Sequence, residues 1–190
     1  MYQFMLFLHI VALAIGLAAG GILLVCLIQL RAATTLEQAA PFGALAGKIE
    51  KAFPVAILGL FATGAYMTSD IWTWSTPWID VAIAGLVVLA LQGPLLGGRA
   101  GHRLKHMLME NGPGPLSDAA RRAARHPHLW WAELANIGVV FGIVWNMTHK
   151  AGWTESILAI VIGYGAGALL SLPWSRLDAV EAAPAAEASV

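Results

Sequence analysis

Blocks of about 20 apolar residues, separated by short polar segments, dominate the pattern of this chain. The first block, FMLFLHIVALAIGLAAGGILLVCLI over residues 4–28, contains one strongly polar side chain, His9. At a rise of about 1.5 Å per residue, this block makes a helix of roughly 38 Å, and a bilayer hydrocarbon core is about 30 Å thick. The first block therefore predicts a membrane-spanning helix.

Four further apolar blocks predict four more spans, over residues 52–68, 79–96, 129–148 and 156–172. We expect Pro94 to kink the third span near its end, because proline removes a backbone hydrogen bond. The segment from about Pro41 to the second span is also expected to be helical. The fold prediction is an all-α, polytopic membrane bundle of five transmembrane helices. These form one domain over residues 1–178, followed by a disordered tail at 179–190.

Composition supports a membrane location. The chain is 58% hydrophobic and 12% charged, whereas soluble domains carry about 25% charged residues. The formal net charge is zero, so there is no basic surplus of the kind that nucleic-acid binding requires. The expected partner is the lipid bilayer and not nucleic acid. Two further kinds of partner stay possible from the sequence: a second copy of the chain in a homo-oligomer, or another protein in a membrane complex.

The distribution of lysine and arginine predicts the topology. With five spans, ten of the eleven basic side chains fall on one side of the membrane, and Lys150 is the exception. The ten are Arg31, Lys48, Lys51, Arg99, Arg103, Lys105, Arg121, Arg122, Arg125 and Arg176. The positive-inside rule then predicts an N-terminus outside the membrane and a cytoplasmic C-terminus.

Glycines four residues apart mark three of the predicted spans. These pairs are Gly16 and Gly20, Gly138 and Gly142, and Gly163 and Gly167. Such spacing puts both glycines on one helix face and lets a neighbouring backbone approach closely. The three pairs are therefore predicted to be helix-packing positions.

Two histidines share the glycine-bearing faces of the first and fourth spans. His9 lies 7 residues before Gly16, and His149 lies 7 residues after Gly142, which places both histidines near the outer leaflet. If the two glycine faces met, the imidazoles would approach one another across a shared cavity. Imidazoles on two helices are ligands for haem b, copper or zinc, so we predict His9 and then His149 as cofactor ligands. Residues at similar depth would line the cavity: Tyr66, Met67, Trp145 and Asn146.

A second interpretation assigns these side chains only to helix packing. A buried histidine can hydrogen-bond a neighbouring helix, and the last turn of a helix favours His149 through the helix dipole. The protein would then be a non-catalytic membrane subunit or a small transporter. The sequence contains no nucleophile–base pair, phosphate-binding glycine loop or CxxC motif, so no enzymatic reaction is predicted.

Glu133 is the one carboxylate inside the predicted fourth span, residues 129–148. It lies near the cytoplasmic end of the fourth span, at a depth where an unpaired charge is costly. Two roles stay open: an ion pair at the inner interface with Arg31, Lys51 or Arg99, which is the favoured one, and a proton relay.

Three features resemble a group of small bacterial integral-membrane proteins related to CopD-type copper-resistance and HemJ-type haem-pathway proteins. These features are FLHIVALAIGLAAGG in the first span, the pair Pro54 and Gly64 in the second, and the basic segment after the third. The resemblance implies a bacterial inner-membrane location and a haem or metal ligand at His9. HemJ-type proteins also carry an intramembrane lysine in a later helix, which this chain lacks.

Overall fold

The computed structural model describes the backbone of residues 1–181 and the side chains of residues 1–174. This part of the chain folds into eight α-helices and one π-helical turn, with no strand. The elements are α1 (Tyr2–Ala32), α2 (Leu36–Ile49), α3 (Ala52–Ile71), α4 (Pro77–Gln92), the π-helical turn (Gly93–Gly98), α5 (Arg99–Glu110), α6 (Asp118–Ala124), α7 (Pro127–His149) and α8 (Trp153–Glu181).

Five helical segments are long and apolar enough to cross a membrane. They are built on α1, α3, α4, α7 and α8, and they confirm the prediction of an all-α bundle with five spans. Large apolar side chains face outward, as a lipid environment favours; Leu58 is 67% exposed and Ile162 is 65% exposed. The side of the membrane on which each terminus lies stays a prediction. The predicted disordered tail falls mainly on residues 182–190, outside the described residues.

The connection between α1 and α2 is shorter than the sequence pattern indicates. Helix α2 begins at Leu36, five residues before Pro41. Backbone hydrogen bonds to the α5–α6 connection hold this start in place: Leu36 N donates to Gly114 O, and Leu116 N donates to Thr34 O, each over 2.9 Å. Because two loops pair with each other here, their backbone groups are satisfied without a longer irregular segment.

A π-helical turn occurs where Pro94 was expected to kink the third span. Helix α4 ends at Gln92, and Gly93–Gly98 continues the same helical path with wider turns before α5 begins. Proline has no N–H to donate to the preceding turn, so the regular α-helical hydrogen-bond pattern is interrupted there. Such π-helical insertions are rare and occur frequently at functional sites.

The spans form two closely packed halves that contact each other less extensively. Helices α1, α2 and α3 make one half, and α4, α7 and α8 make the other. Small residues allow the close contact within the first half: a Cβ added to Gly59 would lie 3.1 Å from that of Ala12, and one added to Gly16 would lie 3.5 Å from that of Ala56. This packing leaves space between the two halves.

One end of the bundle carries α5, α6 and the α1–α2 connection, and we call it the basic end. A cluster of buried apolar residues closes it, including Leu30, Leu108 and Trp130. Trp130 stacks on Trp174 with the ring centroids 4.3 Å apart, and the guanidinium of Arg31 lies over both rings. Packed apolar and aromatic side chains therefore close the basic end of the bundle.

Candidate functional site

A large cavity lies between the two halves of the bundle. Its volume is about 1820 Å³, which exceeds the roughly 300–1,000 Å³ of ordinary ligand pockets. Tyr2, Trp72 and Lys150 line it near one end, and Lys48 and Arg99 line it at the basic end. The cavity therefore extends along most of the membrane-spanning part of the protein, and its walls are mainly leucine, alanine, glycine and isoleucine.

His9 lines this cavity and is fixed by the neighbouring helix α3. Its Nδ1 lies 2.8 Å from the hydroxyl oxygen of Thr63, which is buried. A Cβ added to Gly64 would lie 3.4 Å from Cε1 of His9, so the ring rests against the backbone of α3. Both contacts come from adjacent residues of α3, and together they determine the position of the imidazole.

The hydrogen bonds of Thr63 indicate which nitrogen of His9 carries the proton. The Thr63 hydroxyl donates to the carbonyl oxygen of Gly59 over 2.6 Å, which uses its single proton. Thr63 then accepts the hydrogen bond from Nδ1–H of His9. In the neutral ring this leaves Nε2 as the unprotonated nitrogen, which carries a lone pair.

This arrangement is the one commonly found around histidine ligands. Ligating histidines usually donate their second ring N–H to a protein acceptor, which fixes both the tautomer and the ring orientation. Thr63 supplies that acceptor here. Thr63 could not be identified from the sequence, because one chain does not reveal which residue of α3 lies opposite His9. The available signal was the pair Gly59 and Thr63, small residues four apart on one helix face.

The glycine face of α7 packs against α8 and not against α1. A Cβ added to Gly142 would lie 2.7 Å from Ala159 O, and one added to Gly138 would collide with the backbone of Gly163. A Cβ added to Gly167 would collide in turn with the carbonyl of Leu134. The prediction that the glycine faces of α1 and α7 meet is therefore wrong. The reason is that α8 carries its own glycine pair, which allows a closer approach than α1 does.

His149 consequently lies in a different environment from that of His9. Its ring stacks on Trp145 with the centroids 3.5 Å apart, and its Nδ1 lies 3.1 Å from the hydroxyl of Thr148. The side chain is exposed and does not line the cavity. His9 and His149 are thus not brought together, because His149 follows the face of α7 that contacts α8.

The four residues expected to line a shared cavity are in different environments. Met67 lines the cavity beside the α3 wall. Tyr66 and Trp145 are exposed on the outer surface of the bundle. Asn146 is fully buried between α7 and α8, where its Nδ2 donates to Ser156 O over 3.1 Å. The last three were assigned by depth alone, and depth does not specify the face of the helix.

Glu133 also lines the cavity, closer to its basic end. Its side chain is 7% exposed, and it makes no hydrogen bond or ion pair with any described residue. The prediction that Glu133 forms an ion pair with Arg31, Lys51 or Arg99 is therefore wrong. The carboxyl faces α1, where a Cβ added to Gly20 would lie 3.5 Å from its Oε1, and the three cations lie nearer the end of the bundle.

The described residues do not form a conventional metal centre. Among residues 1–174, no three histidine, cysteine, aspartate or glutamate side chains lie close enough together to hold a metal ion. Structural zinc sites use four protein ligands, and catalytic zinc sites use three. The site therefore offers one oriented imidazole on a large apolar cavity, with a separate carboxyl further along the same cavity.

Comparison with known proteins does not extend this description. No protein-family model, curated protein or solved structure matches the chain.

Proposed function

We propose that this membrane protein binds haem b in the cavity between its two halves, with His9 as the axial ligand from the protein. The observation that carries the proposal is the hydrogen bond between Nδ1 of His9 and Thr63. It fixes the imidazole and leaves Nε2 as the unprotonated nitrogen of a residue that lines the cavity. Haem supplies redox and ligand-binding chemistry when bound; the chain supplies orientation and an apolar environment.

The ligand count favours haem over copper or zinc. Haem brings four nitrogen ligands of its own, so a single histidine is enough to attach it to a protein. A zinc or copper ion needs three or four ligands from the protein, and the described residues offer no such group. The cavity of about 1820 Å³ is also large and apolar enough for a flat macrocycle.

The same count favours haem handling over electron transfer. Electron-transfer haems usually have two axial ligands from the protein. Here His149 does not line the cavity, so it does not supply the second ligand. The resemblance to haem-pathway proteins also carries over only at His9. One protein ligand leaves the second axial position open and makes release easier. We therefore propose binding, delivery or storage of the cofactor in a bacterial inner membrane, with the N-terminus outside.

A second candidate function follows from the same hydrogen bond. The bond between His9 and Thr63 joins α1 to α3, so His9 already has a polar partner without any ligand. In that case the histidine serves helix packing, and the protein is a membrane subunit or small transporter. The two candidates differ in whether Nε2 binds iron.

Absorption spectroscopy of the purified protein tests this proposal. Protein made in cells supplemented with a haem precursor is expected to contain about one haem per chain, with the broad spectrum of a five-coordinate, high-spin haem. Anaerobic reduction followed by carbon monoxide should give a sharp, shifted Soret band, because the open position accepts the gas. Protein that carries no haem under these conditions, and takes up none from added haemin, would establish the packing role instead.

A further inference from the structure

The carboxyl of Glu133 is the feature of this cavity that haem binding does not use. It lies on α7, one turn before Asn136, and both residues line the cavity. Glu133 is 7% exposed and has no hydrogen-bond or ion-pair partner among the described residues. Buried polar groups are nearly always paired, and ionisable groups within a membrane protein mark binding sites or ion pathways. Glu133 therefore lacks the partner that its environment requires.

The walls around Glu133 leave room for a ligand. Gly20 of α1 faces it without a side chain, and the π-helical turn packs against α7 and lines the same part of the cavity through Gly93 and Gly97. The Oδ1 atom of Asn136 is also buried without a hydrogen-bond donor. Both side chains are hydrogen-bond acceptors, so the complementary ligand is positively charged or a hydrogen-bond donor.

A magnesium or calcium ion does not fit this site. Magnesium and calcium need six or more oxygen ligands, and the described residues provide no cluster of three acidic or histidine side chains. A lipophilic organic cation has different requirements, since its charge is surrounded by hydrocarbon that the apolar walls can contact. One carboxylate is then sufficient to balance the charge.

The charged groups near Glu133 differ in how strongly they act on it. Glu50 lines the cavity within electrostatic range of Glu133 and carries negative charge, but its side chain is exposed. Lys48, Lys51 and Arg99 line the cavity at the basic end, but all three side chains are exposed. Salt screens exposed charges over about 8 Å, whereas a charge in a low-dielectric cavity acts more strongly on its neighbours. The depth of Glu133 therefore favours a cation even though the entrance is basic.

We propose that the basic-end half of the cavity is a binding site for a lipophilic organic cation, with the Glu133 carboxylate as its counter-ion. The site is formed by Glu133, Asn136, Gly20, the π-helical turn and Glu50. It is separate from His9, which lies more than two helical turns away along α1 from Gly20. The proposal therefore does not depend on haem binding.

Equilibrium binding of two oppositely charged probes of the same shape tests this site. Tetraphenylphosphonium is expected to bind the detergent-solubilised full chain, and tetraphenylborate is not. Glu133→Gln keeps the size of the side chain and removes the charge, so affinity for tetraphenylphosphonium should fall roughly 30-fold or more. Glu133→Asp should retain a measurable part of it. Glu155→Gln is the matched control, since Glu155 is exposed and does not line the cavity, and it should bind as the unmodified protein does.

Chemical labelling keeps the test valid if Glu133→Gln proves unstable. Dicyclohexylcarbodiimide modifies carboxyl groups in apolar surroundings, and tetraphenylphosphonium should protect Glu133 in the unmodified chain, as read by mass spectrometry of the peptide. His9→Ala should leave both binding and protection unchanged, which separates this site from the haem proposal. The proposal is overturned if the unmodified protein does not bind tetraphenylphosphonium, if tetraphenylborate binds equally well, or if Glu133→Gln binds with unchanged affinity.

Discussion

Replacing Gly163 with leucine is expected to prevent α8 from packing on α7 and to leave little folded protein. A Cβ at this position would collide with the backbone carbonyl of Gly138, and at Gly142 on the facing helix it would lie 2.7 Å from Ala159 O. Backbone atoms cannot rotate away as side chains do, so the helices must separate. Overpacking a core usually costs about 1–3 kcal/mol of stability. Here the cost is expected to be higher, because the backbones of α7 and α8 touch directly at their glycines and leave no room for a side chain.

Gly165→Leu is the matched control for this prediction. Gly165 lies two residues further along α8, and a Cβ added there meets nothing within 4 Å. We expect Gly165→Leu to retain the yield and melting temperature of the unmodified protein. The milder Gly163→Ala should lower the melting temperature by roughly 2–12 °C, measured by thermal unfolding in detergent. Equal melting temperatures for Gly163→Leu and Gly165→Leu would contradict the described contact between α7 and α8.

His9→Ala is expected to remove nearly all bound haem, whereas His149→Ala should remove none. Of these two histidines, His9 lines the cavity, whereas His149 is stacked on Trp145 at the surface. The comparison uses two histidines of the same chain, so it controls for the general effect of losing an imidazole. Haem per chain is measured by the pyridine haemochrome method on purified protein. Equal loss in the two variants would show that haem is held elsewhere or by both histidines.

Thr63 provides a graded companion to this variant. Thr63→Val removes the hydroxyl that orients His9 while keeping the shape of the side chain, and loss of such an orienting partner typically weakens ligand affinity about 10–100-fold. Thr63→Ser keeps the hydroxyl and should bind haem nearly as well as the unmodified protein. Unchanged affinity in Thr63→Val would mean that the hydrogen bond does not orient a ligand.

The sequence was sufficient to predict the five spans, because each apolar block is long enough to cross a bilayer on its own. The blocks say less about where each helix ends. Helix α2 begins at Leu36 because pairing with the α5–α6 connection stabilises that start, and this contact joins residues distant in sequence. Likewise, Pro94 predicts a local disturbance of the third span, but proline alone does not specify that the disturbance is a π-helical turn.

Partner choice among the helices could not be predicted from the glycine pairs. A pair such as Gly138 and Gly142 identifies a face suited to close contact, but three spans carry such pairs and a single sequence does not state which two meet. The mirrored spacing of His9 and His149 favoured α1 against α7. The structure instead pairs α7 with α8, since both backbones approach within glycine contact distance there. For this reason, His149 is not part of the candidate site.

The candidate site was predictable only in part. His9 is conspicuous as the single strongly polar residue of its span, and Glu133 as the single carboxylate inside another. Their partners were not predictable, because Thr63 becomes an acceptor for His9 only when α1 and α3 pack in a particular register. The absence of a described partner for Glu133 could likewise be seen only after the nearby cations were placed.

Resonance Raman spectroscopy of the reduced, haem-loaded protein tests most directly whether His9 is bound to iron. A five-coordinate ferrous haem with an imidazole ligand shows an iron–histidine stretching band. We predict that this band is present in the unmodified protein and in His149→Ala. It should be absent in His9→Ala and return, at a different frequency, when imidazole is added to that variant. An unchanged iron–histidine band in His9→Ala would contradict the proposed function.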